Sequence, residues 1–474
     1  VPEPLWQHQE QALDFALAKF REYHAAMLAI CMGGGKSRVA IELAQRIAAR
    51  LILILCPLRV VEVWRTQFTR FSTTEYQFAA LDDRYASVPE KAAEAQQLLI
   101  WSRERQKRLV IAVNYDSARR MPFASWALRQ AWPLVIADEV HRIKSGRGAT
   151  SKWVAQLGLH AFRRLGLTGT PMPHQPTDIW AQFRFLNPHV LDPAFSAFRD
   201  RYAVMGGYFD KQIVGWKNRE ELQQRFRQLA FQVDDSVLDL PPEMDETLSA
   251  NLGDEGRRIY CEMEEEMIAW IGAQAQITAA NAMVKLLRLQ QITGGSLPDD
   301  LHVEHAIDTA KEDLLADFLG DIGREPIVVF AVFRSDLRTI HRAALKHGLA
   351  SGELSGDLKR RGDLARWQRG GPDDPPVLAV QIQAGEVGID LTRARIGVYY
   401  SLGFSLANYL QSRARIRRPP QQRPCVFYHL QIRNSIDQYV LHAVRARRDL
   451  VDSVLKDLQE KGASREPYAS RSAS

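Results

Sequence analysis

The chain has 474 residues, 46% of them hydrophobic, which is enough for two or more globular cores, and its longest apolar run, Leu51 to Cys56, is far short of the roughly 20 residues of a membrane helix. Its four cysteines, Cys31, Cys56, Cys261 and Cys425, form no C-x-x-C pair, which argues against a zinc site or a disulfide framework and points to a reducing cytosol. The net charge of +6 permits a polyanionic partner.

The first informative element is an apolar strand, Leu28 to Cys31, that runs into Gly33-Gly34-Gly35-Lys36-Ser37 and then a helix from Arg38 to Ala49. Glycines let backbone N–H groups converge on phosphate oxygens, the lysine can reach the β/γ-phosphates, and the serine hydroxyl can ligate Mg²⁺. The strict phosphate-loop pattern wants glycine six positions before Lys36, where Ile30 stands.

Short apolar runs then alternate with helical patterns: Leu51 to Cys56, Leu109 to Val113, Leu134 to Ala137 and Arg164 to Leu167. Such alternation predicts a parallel α/β sheet. The run Leu134-Val135-Ile136-Ala137 delivers Asp138 and Glu139 at its C-terminal end, the edge where α/β sheets bind ligands. Asp138 is the candidate for the Mg²⁺ hydration shell, and Glu139 the candidate that activates an attacking water.

After Pro171 the pattern changes to amphipathic helices, as far as about Leu297, interrupted at Asp239-Leu240-Pro241-Pro242, the candidate linker. Strands and helices resume at Ile327 to Phe333, Val377 to Ile382, Ile396 to Tyr400 and Cys425 to Leu430. Arginines crowd positions 413, 415, 417, 418 and 423. A helix from Ser435 to Gln459 closes the pattern, and the tail after Gly462 has the composition of a disordered segment. The expected division is a first domain, 1–235, with a helical protrusion over 176–235, and a second, 236–474, with a linker over 236–245 and a helical insertion over 246–305.

With these residues in place, the chain resembles the DEAH-box-like ATPases of helicase superfamily two and, within them, the Swi/Snf-type DNA translocases. Leu5-Trp6-Gln7-His8-Gln9 is similar to the family's adenine-recognising motif, which implies that Gln9 reads the adenine edge. Met32 to Ser37 resembles the family's Walker A loop, which has no need of glycine at position 30. Cys56-Pro57-Leu58 with Trp64, and Val113-Asn114-Tyr115, resemble motifs Ia and Ib, which implies that Pro57 and Asn114 lie against a nucleic-acid backbone. Leu167-Thr168-Gly169-Thr170-Pro171 resembles the motif that couples the two sites. Gln383 to Thr392, with Gly385, Gly388 and Thr392, resembles motif V, whose glycines suit contacts to phosphates. Gln411 to Gln421 resembles motif VI and puts Arg415 and Arg418 on the family's two arginines, while Arg413 and Arg417 depart from the pattern and are expected to be solvated or to touch phosphate.

The resemblance implies two tandem RecA-like α/β lobes, with ATP and Mg²⁺ in the cleft between them. Lys36, Ser37 and Asp138 would hold the nucleotide from one side, and Arg415 and Arg418 would stabilise the charge that develops on the γ-phosphate from the other. The expected function is ATP-driven movement along double-stranded DNA by a monomer recruited by partner proteins, away from membranes, in the cytoplasm, nucleoid or nucleus. Two other readings stay open, a strand-separating DNA or RNA helicase and an ATP-dependent nucleic-acid clamp with little turnover.

Overall fold

The computed structural model describes residues 4–445 apart from 144, 147, 170, 172–175, 207–211, 274–278, 300–302, 356–361 and 383–388. The chain divides into two compact units, Val1–Asp239 and Leu240–Ser474, where the sequence placed the boundary at 235 and 236.

In the first unit the strands are β1 (Ala25–Ile30), β2 (Leu51–Cys56), β3 (Gln77–Leu81), β4 (Leu109–Asn114), β5 (Trp132–Asp138), β6 (Ala161–Thr168), β7 (Ala203–Gly206), β8 (Gln212–Trp216) and β9 (Ala230–Val233). Seven of them make one wholly parallel sheet in the order β3-β4-β2-β5-β6-β1-β9, and β7 and β8 form a separate antiparallel pair. Parallel strands covered on both faces read as continuous apolar runs, and side chains alternate between the faces. Met27, Leu53, Ile111 and Val135 accordingly join one core, while Leu28, Ile54, Val110 and Ile136 join the other.

The second unit repeats the plan with β10 (Glu243–Ala250), the hairpin β11 (Ser296–Pro298) and β12 (Glu304–Ala306), then β13 (Ile327–Ala331), β14 (Ser351–Leu354), β15 (Val377–Gln381), β16 (Ile396–Tyr399) and β17 (Cys425–Ile432). Its six-stranded sheet, order β10-β17-β16-β13-β15-β14, is also parallel throughout. Val328 and Phe330 face one core, and Ile327, Val329 and Ala331 the other.

Two expectations need correction. The stretch 176–235 contains the helices Asp178–Leu186, Phe195–Tyr202 and Arg219–Leu229, but also β7, β8 and β9, and β9 pairs with β1 in the main sheet. Residues 243–250 are neither linker nor helix: they form β10, an edge strand whose Glu243 to Thr247 are exposed and whose ladder to β17 supplies its backbone hydrogen bonds. Charges on that edge discourage pairing with other chains. The last described helix is Ile436–Arg445, and its expected continuation to Gln459 and the tail lie outside the described residues. Among the described residues, no helix is long and apolar enough to cross a membrane.

Candidate nucleotide site

The C-terminal edge of the first sheet is built from strand ends. After β1 the chain turns through Gly33 and Gly35, both at φ +83°, into the helix Lys36–Arg46. A Cβ at Gly34 would stand 2.5 Å from Ile30 Cγ2, and one at Gly35 2.2 Å from Gln9 Nε2, so a side chain at either position would force its neighbour to shift, and at Gly35 it would also be strained by the positive φ. Gly35 is the helix N-cap and offers no side-chain acceptor to the first-turn N–H groups, the arrangement that receives phosphate oxygens. The Lys36 ammonium folds back onto its own loop, donating to Ile30 O at 2.9 Å and Cys31 O at 3.2 Å. Ser37 follows, half-buried, in the first turn.

Gln9 is buried beneath this loop. Its Nε2 donates to Gly34 O at 3.2 Å, its Oε1 accepts from Trp6 N at 3.1 Å, and His8 Nε2 lies 2.8 Å from the same Gly34 carbonyl. The Gln9 amide therefore supports the loop through bonds within the protein, with His8 as a second prop that the sequence did not single out.

Asp138 ends β5. Its Oδ2 accepts from Trp64 Nε1 at 2.9 Å and its Oδ1 from Glu139 N at 2.9 Å. Burial, then the charge of Glu139, raise its pKa to about 6 against the pull of the Trp64 bond and of Lys36. Trp64 is fully buried, so the expected place of its segment against a nucleic-acid backbone does not extend to this side chain. Its indole N–H instead supplies the carboxylate with a donor.

Glu139 stands at φ +50°, a left-handed turn that costs a non-glycine residue about 1 kcal/mol. The turn leaves Glu139 Oε2 3.3 Å from His141 Nδ1, which in turn lies 3.1 Å from Thr168 Oγ1 at the buried end of β6. One nitrogen, His141 Nδ1, thus stands beside both Glu139 Oε2 and Thr168 Oγ1. Tyr115 OH donates to Asp138 O at 2.8 Å, tying the segment after β4 to the same edge.

Pro57 follows β2, and Asn114 ends β4, buried, its Oδ1 3.5 Å from Lys91 Nζ. A Cβ at Gly169 would lie 3.3 Å from Met32 Cγ, so the segment after β6 packs on the phosphate loop. Thr170, Gly385 and Gly388 lie outside the described residues.

In the second unit, the helix Leu406–Ile416 carries the arginines. Arg413 is buried, and donates to Asp245 Oδ1 at 2.5 Å, Glu243 Oε2 at 2.9 Å and Tyr409 OH at 2.7 Å, with its guanidinium 4.0 Å above the Phe427 ring. Arg417 Nε donates to Pro241 O at 2.7 Å, and Arg423 binds Glu325 at 3.1 Å. The expectation of solvated or phosphate-touching side chains at 413 and 417 is therefore corrected: protein acceptors take both. Arg415 is buried with its carbonyl accepting from Leu391 N at 3.0 Å, and Arg418 is half-buried. Thr392 caps its own turn, its N and Oγ1 both donating to Asp390 Oδ1, and its carbonyl accepts from Gln421 Nε2 at 2.9 Å.

The chain is similar to known proteins along most of its length. The family model of the SNF2-related domain matches residues 8–294, and that of the helicase conserved C-terminal domain matches residues 310–419. The SWI/SNF-related matrix-associated actin-dependent regulator of chromatin subfamily A-like protein 1 homolog of Caenorhabditis elegans is 25% identical over 462 residues, covering 95% of this chain and 62% of its own length. Putative protein p41 of Acyrthosiphon pisum secondary endosymbiont phage 1 is 25% identical over 473 residues, covering 91% and 94%. The DNA repair and recombination protein RAD54-like of Drosophila persimilis is 22% identical over 504 residues, covering 94% and 63%. The solved SWI2/SNF2 ATPase core of Sulfolobus solfataricus in complex with dsDNA aligns over 98% of this chain and 95% of its own, at 19% identity and a TM-score of 0.42. The chain spans a little under two thirds of the nematode and fly proteins. With the two family matches lying in order along two parallel-sheet units, the chain belongs to the SNF2-related family of helicase-like ATPases.

Proposed function

We propose that this chain is an ATP-dependent translocase that moves along double-stranded DNA without separating its strands. The observation that carries the proposal is the shared edge of the first sheet, where the Gly33–Ser37 loop, the Asp138–Glu139 pair and the His141 link to Thr168 converge. Lys36 is assigned to the β/γ-phosphates, Gln9 to the adenine edge, and Glu139 to the proton of the attacking water, with His141 orienting its carboxylate. Arg415 and Arg418 are assigned to the charge that develops on the γ-phosphoryl group.

Ser37 and Asp138 fit Mg²⁺. One carboxylate and one hydroxyl are oxygen ligands of the kind that ion takes alongside phosphates. When bound, Mg²⁺ neutralises charge on the phosphate oxygens.

Pro57, Asn114, Thr168, Gly169, Thr170, Gly385, Gly388 and Thr392 are assigned to the nucleic-acid face and its coupling to hydrolysis. Membership of the family, and relatives named for DNA repair and recombination, support DNA as the track, and the double-stranded form is part of the proposal. Monomeric action, recruitment by partner proteins and a place in the cytoplasm, nucleoid or nucleus belong to the same proposal.

The test is the ATPase rate with duplex DNA, single-stranded DNA or RNA, alongside displacement of a triplex-forming strand and unwinding of a duplex. Duplex stimulation with triplex displacement and no unwinding is expected. Glu139→Gln should lower kcat about 10³-fold, and Lys36→Ala should abolish turnover. No stimulation by any nucleic acid rejects the motor, DNA binding with negligible turnover favours the clamp, and unwinding favours the helicase.

A further inference from the structure

Arg413 and Arg417 lie four residues apart, so they share a face of the helix turn, and Arg417 N donates to Arg413 O at 2.9 Å. That face meets Pro241 to Asp245, the segment by which the chain enters the second unit. Arg417 holds the Pro241 carbonyl, and Arg413 holds the Glu243 and Asp245 carboxylates, which project on one side of β10 because they are two residues apart. On the strand's other contact, β10 pairs with β17 from Glu243↔Cys425 onward, and Cys425 N donates to Pro242 O at 2.9 Å. The entry segment is thus bonded both to the sheet and to the arginine helix. Arg413 is 8% exposed and is closed in by Phe427 and Tyr409, so its planar fork has one place to go.

We propose that Arg413 and Arg417 are positioning residues that clamp the entry segment and thereby set the placement of Arg415 and Arg418. Arg415 lies between the two clamping residues and Arg418 directly follows the second. The inference rests on the assignment of Arg415 and Arg418 to the γ-phosphate. A clamp within the second unit, where it receives the chain, holds the helix that carries those two side chains against the entry segment.

The test uses the full chain with saturating duplex DNA. Arg417→Ala is expected to lower kcat about tenfold while KM for ATP stays within about twofold, since misplacement by a fraction of an ångström affects the transition state rather than ATP binding. Its thermal midpoint should not move. Asp245→Asn, which weakens the Arg413 fork, should lower kcat in the same direction, and Arg413→Asp combined with Asp245→Arg should recover part of the activity lost in Arg413→Asp alone. Wild-type kcat in Arg417→Ala, or a loss shared equally by kcat and KM, overturns the clamp. Arg415→Ala, measured in parallel, separates the two levels of inference. Full activity in that variant overturns the γ-phosphate assignment together with the clamp, whereas an inactive Arg415→Ala beside a fully active Arg417→Ala overturns the clamp alone.

Discussion

In the first unit the buried carboxylate of Asp138 accepts from an indole and a backbone amide, whereas in the second the buried Lys311, Asp437 and Arg413 meet groups of opposite charge. There Lys311 Nζ meets Asp437 Oδ2 at 2.6 Å with both side chains under a tenth exposed, and Asp437 also accepts from Thr293 Oγ1 and Ile432 N. Arg413 has two carboxylates, while Asp336, like Asp138, accepts from a neutral donor, Ser401 Oγ at 2.5 Å. A charge desolvated among neutral donors is relieved when a cation arrives, while a charge paired inside the protein is already committed to the fold. The Asp138 carboxylate is therefore placed to receive a cation, while the Lys311–Asp437 pair and the Arg413 fork hold the scaffold of the second unit together.

That contrast can be broken most severely at Lys311. Lys311→Met strands Asp437 in the core and should destabilise the second unit by about 3–5 kcal/mol, read as a lower denaturant midpoint. A shift under about 1 kcal/mol would mean the pair is not structural.

Asp336 comes next. Burial raises its pKa from 3.8 to about 6, so folding favours its protonated form. The associated stability is fully present below pH 3.8 and is lost as pH rises through about 6, leaving a deficit on the order of 3 kcal/mol at pH 8. Asp336→Asn, neutral throughout, should unfold later than the wild type at pH 8, with the advantage vanishing near pH 4. Equal midpoints at both pH values would refute the shift.

In the first unit Trp64→Phe keeps the ring and removes the donor to Asp138. The Mg²⁺ concentration for half-maximal ATPase should rise about 10- to 100-fold, as for other residues that orient a metal ligand, and an unchanged Mg²⁺ titration would separate Trp64 from the site. The smallest effect is expected at Arg423, whose ion pair with Glu325 is 48% and 31% exposed. Arg423→Ala should shift stability by less than about 1 kcal/mol and leave ATPase unchanged, in contrast to the buried Arg413.

Backbone-determined features were legible in the sequence. The glycine loop, the Asp138–Glu139 strand end and the long apolar strands each occupy a few consecutive residues, so local pattern carries them. Trp64 sits in a segment that resembles a nucleic-acid motif, while its partner Asp138 is 74 residues away and nothing local marks the pairing. The roles of Arg413 and Arg417 were hidden for the same reason, their acceptors being 168 to 176 residues distant. The alternation Glu243-x-Asp245 opposite Arg413-x-x-x-Arg417 is the signal that could have suggested them. The strands β3, β9, β10 and β14 escaped notice because they are short or, in β10, charged, and lack the apolar run that a doubly covered strand displays.

The lysine of the phosphate loop has a consequence for how nucleotide enters. With its ammonium resting on the Ile30 and Cys31 carbonyls, Lys36 already supplies the loop with an internal occupant. Nucleotide uptake is then an exchange reaction at one nitrogen, neutral oxygens given up for anionic ones. The affinity gained there is the difference between the two sets of bonds, and departure of the phosphates returns the ammonium to ligands that never left.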